Sequence, residues 1–178
     1  MAWADQHTWG RFVEALSPAP GERILDVGAG KGRVAARIHE ASKSEVFAVD
    51  PNADRVSAMK HDFPGLKSSV ASAESLPFSD AYFDKVYTTM ALHHFADLDK
   101  AGREVARVLK QGGSFTVVEI DPRSGRAKLF RFFGRFNGEH MHMMNGEQVA
   151  ARLEGAAEFK SVRSASLGYA YLVQFMRT

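Results

Sequence analysis

The fold is decided by one stretch of sequence, Arg23-Ile-Leu-Asp-Val-Gly-Ala-Gly-Lys-Gly-Arg33. Its first five residues are mostly apolar and predict a short buried strand, and the glycines that follow predict a tight turn. Val34, Ala35 and Ile38 then begin a helical spacing of apolar residues. A glycine turn between a strand and a helix lets a ligand approach backbone N–H groups closely, beside the positive end of the helix dipole. The stretch therefore predicts a site for a nucleotide-like cofactor.

The spacing of the glycines separates two classes of cofactor. The dinucleotide fingerprint G-x-G-x-x-G needs a third glycine, which allows the helix to pack closely on the strand. Counting from Gly28, that position holds Arg33, so a nicotinamide or flavin site is disfavoured. Asp50 follows about 20 residues later, at the predicted end of the second strand, where a carboxylate can accept hydrogen bonds from both ribose hydroxyls. Its alternative role is to cap the next helix.

Length and composition fit one globular domain. The chain has 178 residues, and no uninterrupted apolar stretch approaches the roughly 20 residues needed to span a bilayer. The opening Met1–His7 lacks the apolar run of a secretory signal, so we expect a cytoplasmic protein. The absence of cysteine excludes disulfides, thiolate metal ligands and a cysteine nucleophile. A net charge of +2 is too small to suggest a nucleic-acid partner.

Apolar periodicity predicts four helices before the fifth strand. Trp9, Phe12, Val13 and Leu16 have helical spacing and predict an amphipathic helix ahead of the glycine strand. The second helix runs from the glycine turn to about residue 40, the third is capped by Asn52, and the fourth covers residues 98–108, with Gly112-Gly113 as its C-terminal glycines.

The predicted strands cover residues 23–27, 45–49, 67–71, 83–88, 114–120, 159–164 and 169–176. Strands that alternate with helices indicate a parallel sheet with helices on both faces. The last two strands are joined by a short turn at Gly168 without an intervening helix. We therefore expect these two strands to be antiparallel to each other.

Four further motifs follow the glycine turn: Ala71-Ser-Ala-Glu-Ser-Leu-Pro-Phe78, Phe83-Asp-Lys-Val-Tyr87, Met90-Ala-Leu-His-His94 and Leu109-Lys-Gln-Gly-Gly113. In this order the chain resembles class I S-adenosylmethionine (SAM)-dependent methyltransferases, in the small-molecule group similar to the ubiquinone and menaquinone biosynthesis enzymes. The resemblance implies a Rossmann-like α/β fold, with a mostly parallel seven-stranded sheet, a C-terminal antiparallel hairpin and helices on both faces. It also implies an enzyme that transfers a methyl group from SAM to a small molecule by in-line displacement.

The resemblance implies a set of cofactor contacts. Asp26 would lie near the amino-acid end of SAM, the turn and Met90 would lie along its methionine portion, and Asp50 would hold the ribose. Ser72 and Ala73 would meet the adenine, although the family usually has Asp at the position of Ser72, whose hydroxyl accepts a hydrogen bond without charge assistance. The full predicted cofactor set is Asp26, Gly28, Ala29, Gly30, Asp50, Pro51, Ser72, Ala73, Glu74 and Met90.

A general base is needed only if the methyl acceptor arrives protonated. Histidine titrates near neutral pH, and the candidates are His94, His140 and His142, with His93 beside them. At least one of His93 and His94 is expected to pack beneath the cofactor as a structural side chain. The cluster His140-Met-His-Met-Met144 has only Glu139 as a nearby carboxylate, so no metal site is predicted.

The segment from Arg123 to Phe136 has an aromatic face and a basic face. Leu129, Phe132, Phe133 and Phe136 share one side of a helix, and Lys128, Arg131 and Arg135 share another. One interpretation is an ordinary helix between strands five and six. The other is a mobile cap over the acceptor, or a surface attracted to anionic substrates or lipid head groups. A nucleic-acid partner is not expected, because the basic cluster is small and no binding module is recognisable.

These observations predict one domain over residues 1–178, with an N-terminal helix (1–20), a cofactor-binding core (21–122), an acceptor cap (123–155) and terminal strands (156–178). The acceptor pocket should involve Trp3, His7 and Trp9, the turn at residues 90–95, and residues 123–144. We expect an anionic or aromatic small-molecule acceptor and a monomer or homodimer. The alternatives are a nicotinamide-dependent oxidoreductase and a non-catalytic SAM-binding regulatory protein.

Overall fold

A seven-stranded sheet organises the chain in the computed structural model, which describes residues 6–125, 127 and 143–178. The strands are β1 (Arg23–Val27), β2 (Glu45–Asp50), β3 (Lys67–Val70), β4 (Phe83–Thr89), β5 (Leu109–Ile120), β6 (Phe159–Ser166) and β7 (Ala170–Arg177). The helices are α1 (Gln6–Leu16), α2 (Arg33–Ser42), α3 (Ala53–Asp62), α4 (Leu98–Val108) and α5 (Gly146–Ala156), with a short 3-10 turn over Leu92–His94.

The strand order β3-β2-β1-β4-β5-β7-β6 places a topological switch point between β1 and β4. Strands β1 to β5 pair in parallel, and β7 runs antiparallel to both β5 and β6. The predicted seven-stranded sheet with a terminal antiparallel hairpin is thereby confirmed. In open α/β sheets, ligands bind outside the carboxyl ends of the strands at such a switch point. The ends of β1, β2 and β4 are therefore the place to look for a site.

Helices cover both faces of the sheet, as predicted, and each face has its own apolar core. Phe12 of α1, Ile38 of α2 and Met59 of α3 are fully buried in one core. Val105 of α4 and Leu153 of α5 are buried in the other. Among the residues that the structure describes, no helix has both the length and the hydropathy that a membrane crossing requires.

Gly112 and Gly113 do not close α4, contrary to the sequence prediction. The helix ends at Val108, and both glycines lie within β5. The register with β4 slips here, because Lys85 pairs with Ser114 whereas Phe83 pairs with Leu109. A Cβ on Gly113 would stand 2.8 Å from the carbonyl oxygen of Lys110 and 2.9 Å from that of Asp84. The two glycines therefore lie in a β-bulge, and at Gly113 the neighbouring backbone oxygens leave no room for a side chain.

Helix α5 was not among the predicted elements, and it forms the last part of the segment assigned to the cap. It begins with a capping box, in which the Asn145 side chain accepts from the backbone of Gln148 and the Gln148 side chain accepts from the backbone of Asn145. Val149 and Leu153 are buried against the α4 side of the core. The Asn-x-x-Gln spacing is the sequence signal that could have revealed this helix.

We expect Gly113→Ala to lower the free energy of unfolding by about 1–3 kcal/mol, because its Cβ would meet two backbone oxygens that cannot move aside. Gly10→Ala is the matched control. It lies inside α1 with open space around the added Cβ, and should raise the free energy of unfolding by about 0.4–1 kcal/mol. Urea unfolding of both variants measures the two effects. Equal changes in the two variants would contradict the assignment of Gly113 to a crowded bulge.

Candidate functional site

The glycine turn joins β1 to α2 in a conformation that glycine tolerates best. Gly28, Gly30 and Gly32 have φ angles of +78°, +57° and +75°, where a side chain would strain the backbone. A Cβ on Gly28 would also stand 2.5 Å from the Cβ of Ala91, which follows β4, and one on Gly32 would clash with Met59 of α3. Glycine is therefore required at Gly28 and Gly32 both for backbone conformation and for close packing.

The backbone N–H groups of the turn are largely used within the protein. Four of them donate to acceptors of the protein itself. Gly28 and Ala29 both donate to the carbonyl of Val49 at 2.9 Å, Gly30 donates to Oδ2 of Asp50 at 2.8 Å, and Gly32 donates to the carbonyl of Ala29 at 2.9 Å. A pyrophosphate needs free N–H donors at this place. The turn thus lets a ligand approach the backbone closely, but these four N–H groups are not free to bind an anion. This argues against a dinucleotide.

Asp26 lies on β1 just before the turn and is 1% exposed. Neither of its carboxylate oxygens makes a hydrogen bond of normal distance and angle among the described residues, and the Tyr87 hydroxyl is the neutral group close enough to affect it. Burial raises the pKa of Asp26 to about 8, with a further upward contribution from the charge of Asp50 and a downward one from the Tyr87 hydroxyl. A buried carboxyl without a partner is unfavourable unless a cation pairs with it. This group is therefore suited to a positively charged ligand.

Asp50 ends β2 and is 2% exposed. Its Oδ2 accepts from Gly30 and its Oδ1 from the backbone of Asn52 at 3.0 Å, while a guanidinium nitrogen of Arg55 lies 3.7 Å from Oδ2. The α3 cap is Asn52, whose side chain accepts from the backbone of Arg55, so the alternative role of Asp50 as that cap is wrong. Each carboxylate oxygen has a second lone pair that a ribose hydroxyl could use.

The loop after β3 carries the predicted adenine contacts. Ala73 is buried and Ser72 is partly exposed at this loop, whereas Pro51, beside Asp50, is exposed. Oε1 of Glu74 accepts from the backbone of Ala96 at 2.8 Å and of Asp97 at 3.3 Å. Through these hydrogen bonds Glu74 connects the loop after β3 to the turn that precedes α4.

The turn after β4 contains a residue in a rarely occupied conformation. Met90 has a φ of +52°, which is uncommon for a residue other than glycine, asparagine or aspartate. Its N–H donates to the carbonyl of Val118 on β5 at 2.8 Å, which helps to hold the turn in place. Strained backbone of this kind concentrates at functional sites. Met90 lies at the carboxyl end of β4, beside the switch point.

The two histidines of this turn have different surroundings. His93 is buried and its Nδ1 lies 2.9 Å from Oε2 of Glu119 on β5. His94 is exposed, with its ring centre 4.1 Å from that of His93. The expectation that one of the pair is a packed side chain therefore applies to His93. Sequence reasoning missed Glu119, although an acid inside the apolar run Phe115–Ile120 was a signal that could have identified it.

Trp9 is the one predicted acceptor-side residue of α1 whose side chain is described. It packs against the core that contains Phe12, and the guanidinium carbon of Arg37 lies 3.9 Å from the centre of its ring. The remaining acceptor-side predictions lie outside the described residues: Trp3, His140 and His142, most of the segment 123–144, and the side chain of His7. Within the described ranges, no group of three histidine, aspartate or glutamate side chains is placed to hold a metal ion.

A cavity of about 350 Å³ opens at the opposite edge of the sheet, near the starts of β4 and β5. Its charged side chains are paired with each other, Lys85 with Glu22 and Lys110 with Asp84. It is therefore separate from the site formed by the carboxyl ends of the strands.

Comparison with known proteins identifies the family. A model described as "Methyltransferase domain" matches residues 25–117. The uncharacterized methyltransferase YcgJ of Bacillus subtilis is 35% identical over 122 residues, covering 66% of this chain and 48% of YcgJ. The ubiquinone/menaquinone biosynthesis C-methyltransferase UbiE of Vibrio vulnificus is 35% identical over 164 residues, covering 84% of this chain and 60% of UbiE. The chain thus spans about half to three fifths of the length of these relatives.

Solved structures share the fold. The crystal structure of Bacillus subtilis YcgJ has a TM-score of 0.77 at 22% identity and covers 97% of this chain and 99% of its own. Geranyl diphosphate C-methyltransferase of Streptomyces coelicolor, crystallised with Mg²⁺, geranyl diphosphate and S-adenosyl-L-homocysteine, has a TM-score of 0.79 at 15% identity and covers 95% of this chain and 79% of its own.

These matches confirm the predicted resemblance to UbiE-like class I methyltransferases and give no support to a nicotinamide-dependent oxidoreductase. The family model matches more than half of the residues of this chain. The chain therefore belongs to the methyltransferase-domain family, whose cofactor is S-adenosylmethionine.

Proposed function

We propose that this protein transfers the methyl group of SAM to a small-molecule acceptor. The observation that carries the proposal is the buried, unpartnered carboxyl of Asp26 beneath the glycine turn. When bound, SAM supplies a methyl group on a positively charged sulfur, together with an ammonium group at its amino-acid end. An ammonium is the kind of partner that a buried carboxylate lacks in the protein alone.

The residues around the turn would divide the recognition of SAM. Asp26 would pair with the ammonium group, and Asp50 would accept from the ribose hydroxyls with the lone pairs left by its two backbone donors. Ala73 and Ser72 would contact the adenine, and Met90 the methionine portion. The turn itself would contribute close approach, because its N–H groups are already bonded.

The protein's contribution to such a reaction is mainly alignment. A sulfonium is already an activated leaving group, so catalysis depends on holding the nucleophile in line with the methyl carbon and on excluding water. The packing of Gly28 against Ala91 and the bond from Met90 to Val118 support this role, because they join the cofactor turn to the ends of β4 and β5. An acceptor bound at those ends would lie beside the predicted methionine portion of SAM.

The names of two compared proteins support an organic acceptor. UbiE is a ubiquinone/menaquinone biosynthesis C-methyltransferase, and the Streptomyces enzyme is a geranyl diphosphate C-methyltransferase. We infer that the acceptor of this protein is also a small organic molecule, anionic or aromatic in character, and that His140 and His142 remain candidate contacts to it.

Isothermal titration calorimetry tests the cofactor assignment. SAM and S-adenosylhomocysteine should bind to the wild-type protein and NAD⁺ should not. Asp50→Asn should weaken SAM binding by about 10–100-fold, because hydrogen bonds to a charged group each contribute about 1.5–3 kcal/mol. Asp62→Asn, which changes an exposed acid at the end of α3, is the matched control and should leave SAM affinity unchanged.

Tight binding of NAD⁺ without binding of SAM would contradict the proposal. If the protein binds SAM, the proposed activity also requires it to convert SAM to S-adenosylhomocysteine when a panel of small phenols, amines and carboxylic acids is supplied. Binding without release across that panel would favour the non-catalytic SAM-binding alternative.

The pH dependence of stability tests the state of Asp26. Its folded pKa of about 8 lies above the ordinary value of 3.8, so between these values the folded protein holds a proton that the unfolded chain releases. The contribution of Asp26 to the free energy of unfolding should therefore fall as pH rises through this window, by about 1.4 kcal/mol per pH unit. Asp26→Asn removes the titration, so its stability relative to wild type should increase from pH 5 to pH 8.

Urea unfolding of the cofactor-free wild type and of Asp26→Asn, at each pH unit, measures that difference. The same variant should bind SAM at least 10-fold more weakly, because a neutral amide cannot pair with the ammonium group. A difference in stability that is independent of pH would show that Asp26 is not protonated in the folded protein.

A further inference from the structure

A second group of buried polar side chains lies where the ends of β4 and β5 meet the start of β7. His93, Glu119 and Tyr171 are 7%, 1% and 4% exposed. They come from three separate parts of the chain, and we call them the His93–Glu119–Tyr171 cluster. Of these three, the sequence analysis names only His93, both among the candidate bases and as a packing residue. Buried polar groups of this kind are unfavourable unless each has a partner.

The orientation of the His93 imidazole follows from its bond to Glu119. Oε2 of Glu119 lies 2.9 Å from Nδ1 of His93 and also accepts the backbone N–H of His93 at 3.3 Å. Oε1 accepts the backbone N–H of Ile120 at 2.8 Å. A carboxyl group that accepts from backbone donors at both oxygens suits the ionised form, which only accepts. Nδ1 therefore donates, and the imidazole lone pair is on Nε2.

Tyr171 adds a donor to the cluster. It stands opposite Glu119 in the pairing of β5 with β7, and its hydroxyl has no partner within the described part of the chain. Burial raises the pKa of Tyr171, and the charges of Glu119 and Asp121 raise it further. The phenol therefore stays protonated and can donate a hydrogen bond. This donor is therefore available to a molecule bound beside the cluster.

The cluster adjoins the turn that meets the cofactor loop. Ala91, two residues before His93, is the residue that packs against Gly28. Val118, one residue before Glu119, accepts the N–H of Met90. The turn after β4 thus connects the His93–Glu119–Tyr171 cluster to the glycine turn, near the carboxyl ends of β1, β4 and β5.

We propose that His93 is the general base of the methyl transfer, that Glu119 positions it, and that Tyr171 donates to the acceptor, which therefore presents a hydroxyl group. This inference rests on the proposed function. An oxygen acceptor is favoured because a hydroxyl can donate to Nε2 and accept from Tyr171 at once, whereas an ammonium group can only donate. A thioether or tertiary amine would carry no proton for His93 to remove.

In the proposed step, His93 removes a proton from the acceptor and the methyl group passes from sulfur to the acceptor. Nε2 of His93 takes the hydroxyl proton, and the electron pair of the O–H bond stays on the acceptor. On oxygen, that pair forms the new bond to the methyl carbon as the carbon–sulfur bond breaks and its pair passes to sulfur. On a carbon conjugated to the oxygen, the pair forms a C=O bond while a π pair of that carbon forms the bond to the methyl carbon, and the carbon–sulfur pair again passes to sulfur. The proton on that carbon is then lost to solvent, and its pair restores the conjugated system. The imidazolium is stabilised by the Glu119 carboxylate and returns its proton to water.

Other titratable groups face the cluster and must be separated from it in a pH experiment. The His94 ring is 4.1 Å from that of His93, between ring centres. Asp121 lies near Tyr171 and is paired with Arg123 at 2.9 Å, which lowers the pKa of Asp121. Assignment of individual histidine signals is therefore part of the test.

Nitrogen-15 NMR of histidine-labelled protein in complex with S-adenosylhomocysteine decides the orientation. The His93 signals, assigned by their loss in His93→Asn, should show a protonated Nδ1 and an unprotonated Nε2 at pH 8. Glu119→Gln should reduce the share of His93 that carries its proton on Nδ1, because a neutral amide oxygen is a weaker acceptor than a carboxylate. A proton on Nε2 at pH 8 in the wild type, or a tautomer ratio that Glu119→Gln leaves unchanged, overturns the proposal.

An activity assay with SAM that carries a tritium-labelled methyl group is the second test of the proposal. The probes are 4-hydroxybenzoate and its thioether counterpart 4-(methylthio)benzoate. We expect transfer to the first alone, with kcat reduced about 10²–10⁴-fold in His93→Asn and the acidic limb of the pH profile moved to lower pH in Glu119→Gln. His61→Asn, at an exposed site on α3, is the matched control. If His93→Asn retains kcat within threefold with the same pH profile, the proposal is overturned.

Tyr171→Phe separates a functional hydroxyl from a structural one. Removal of a buried donor without a partner should raise the midpoint of thermal unfolding by about 2–4 °C, while the KM for a hydroxyl probe rises several-fold. A fall in the unfolding midpoint would contradict the role assigned to Tyr171.

SAM binding measured on the same samples separates the proposed function from the inference about His93. No SAM binding by the wild type defeats the proposed function, whereas SAM binding with the wrong His93 tautomer defeats this inference alone. The NMR result decides the assignment whether or not either probe is turned over.

Discussion

The site depends on the hydrogen bonds by which the end of β2 holds the glycine turn. The carbonyl of Val49 accepts two N–H groups of the turn, and the Asp50 carboxylate accepts a third. These bonds come from Gly28, Ala29 and Gly30, and they hold the two glycines in a left-handed conformation, which no other residue type adopts as readily. They also position Asp50 beside the turn and leave Asp26 beneath it without a partner. The geometry that favours SAM over a dinucleotide follows from this one arrangement.

Buried polar groups without partners connect stability with function here. Asp26 and Tyr171 both lie in the interior, and neither has a hydrogen-bond partner in the described residues. In a protein selected for stability alone, such groups would be replaced by apolar ones of similar shape. Asp26 lies at the carboxyl end of β1, and Tyr171 lies opposite Glu119, near the carboxyl end of β5. Two such groups at this edge of the sheet suit the cofactor and acceptor that we propose.

The sequence was most informative where the evidence is local. The glycine turn, the order of strands and helices, and the terminal hairpin all follow from residues close together in the chain, and the structure has each of them. Glu119 could not be paired with His93 in this way, because their contact depends on how two neighbouring strands are aligned. Gly112 and Gly113 were misplaced for a similar reason, since a bulge is defined by the partner strand. The cofactor contacts at Asp26 and Asp50, and the histidines at 140 and 142, stay predictions.

The position of β7 in the sheet has a consequence for folding. This strand comes after β6 in the chain but lies between β5 and β6, so β6 has no neighbour until β7 is in place. The edge of β5 likewise stays open until residues 170–177 arrive. We infer that β6 and β7 pair first as a hairpin, a local and rapid event, and then dock on β5 through contacts distant in sequence. Until that docking, the unpaired edge of β5 is available to strands of other chains. The β6–β7 hairpin therefore completes the sheet late in folding, as one cooperative unit.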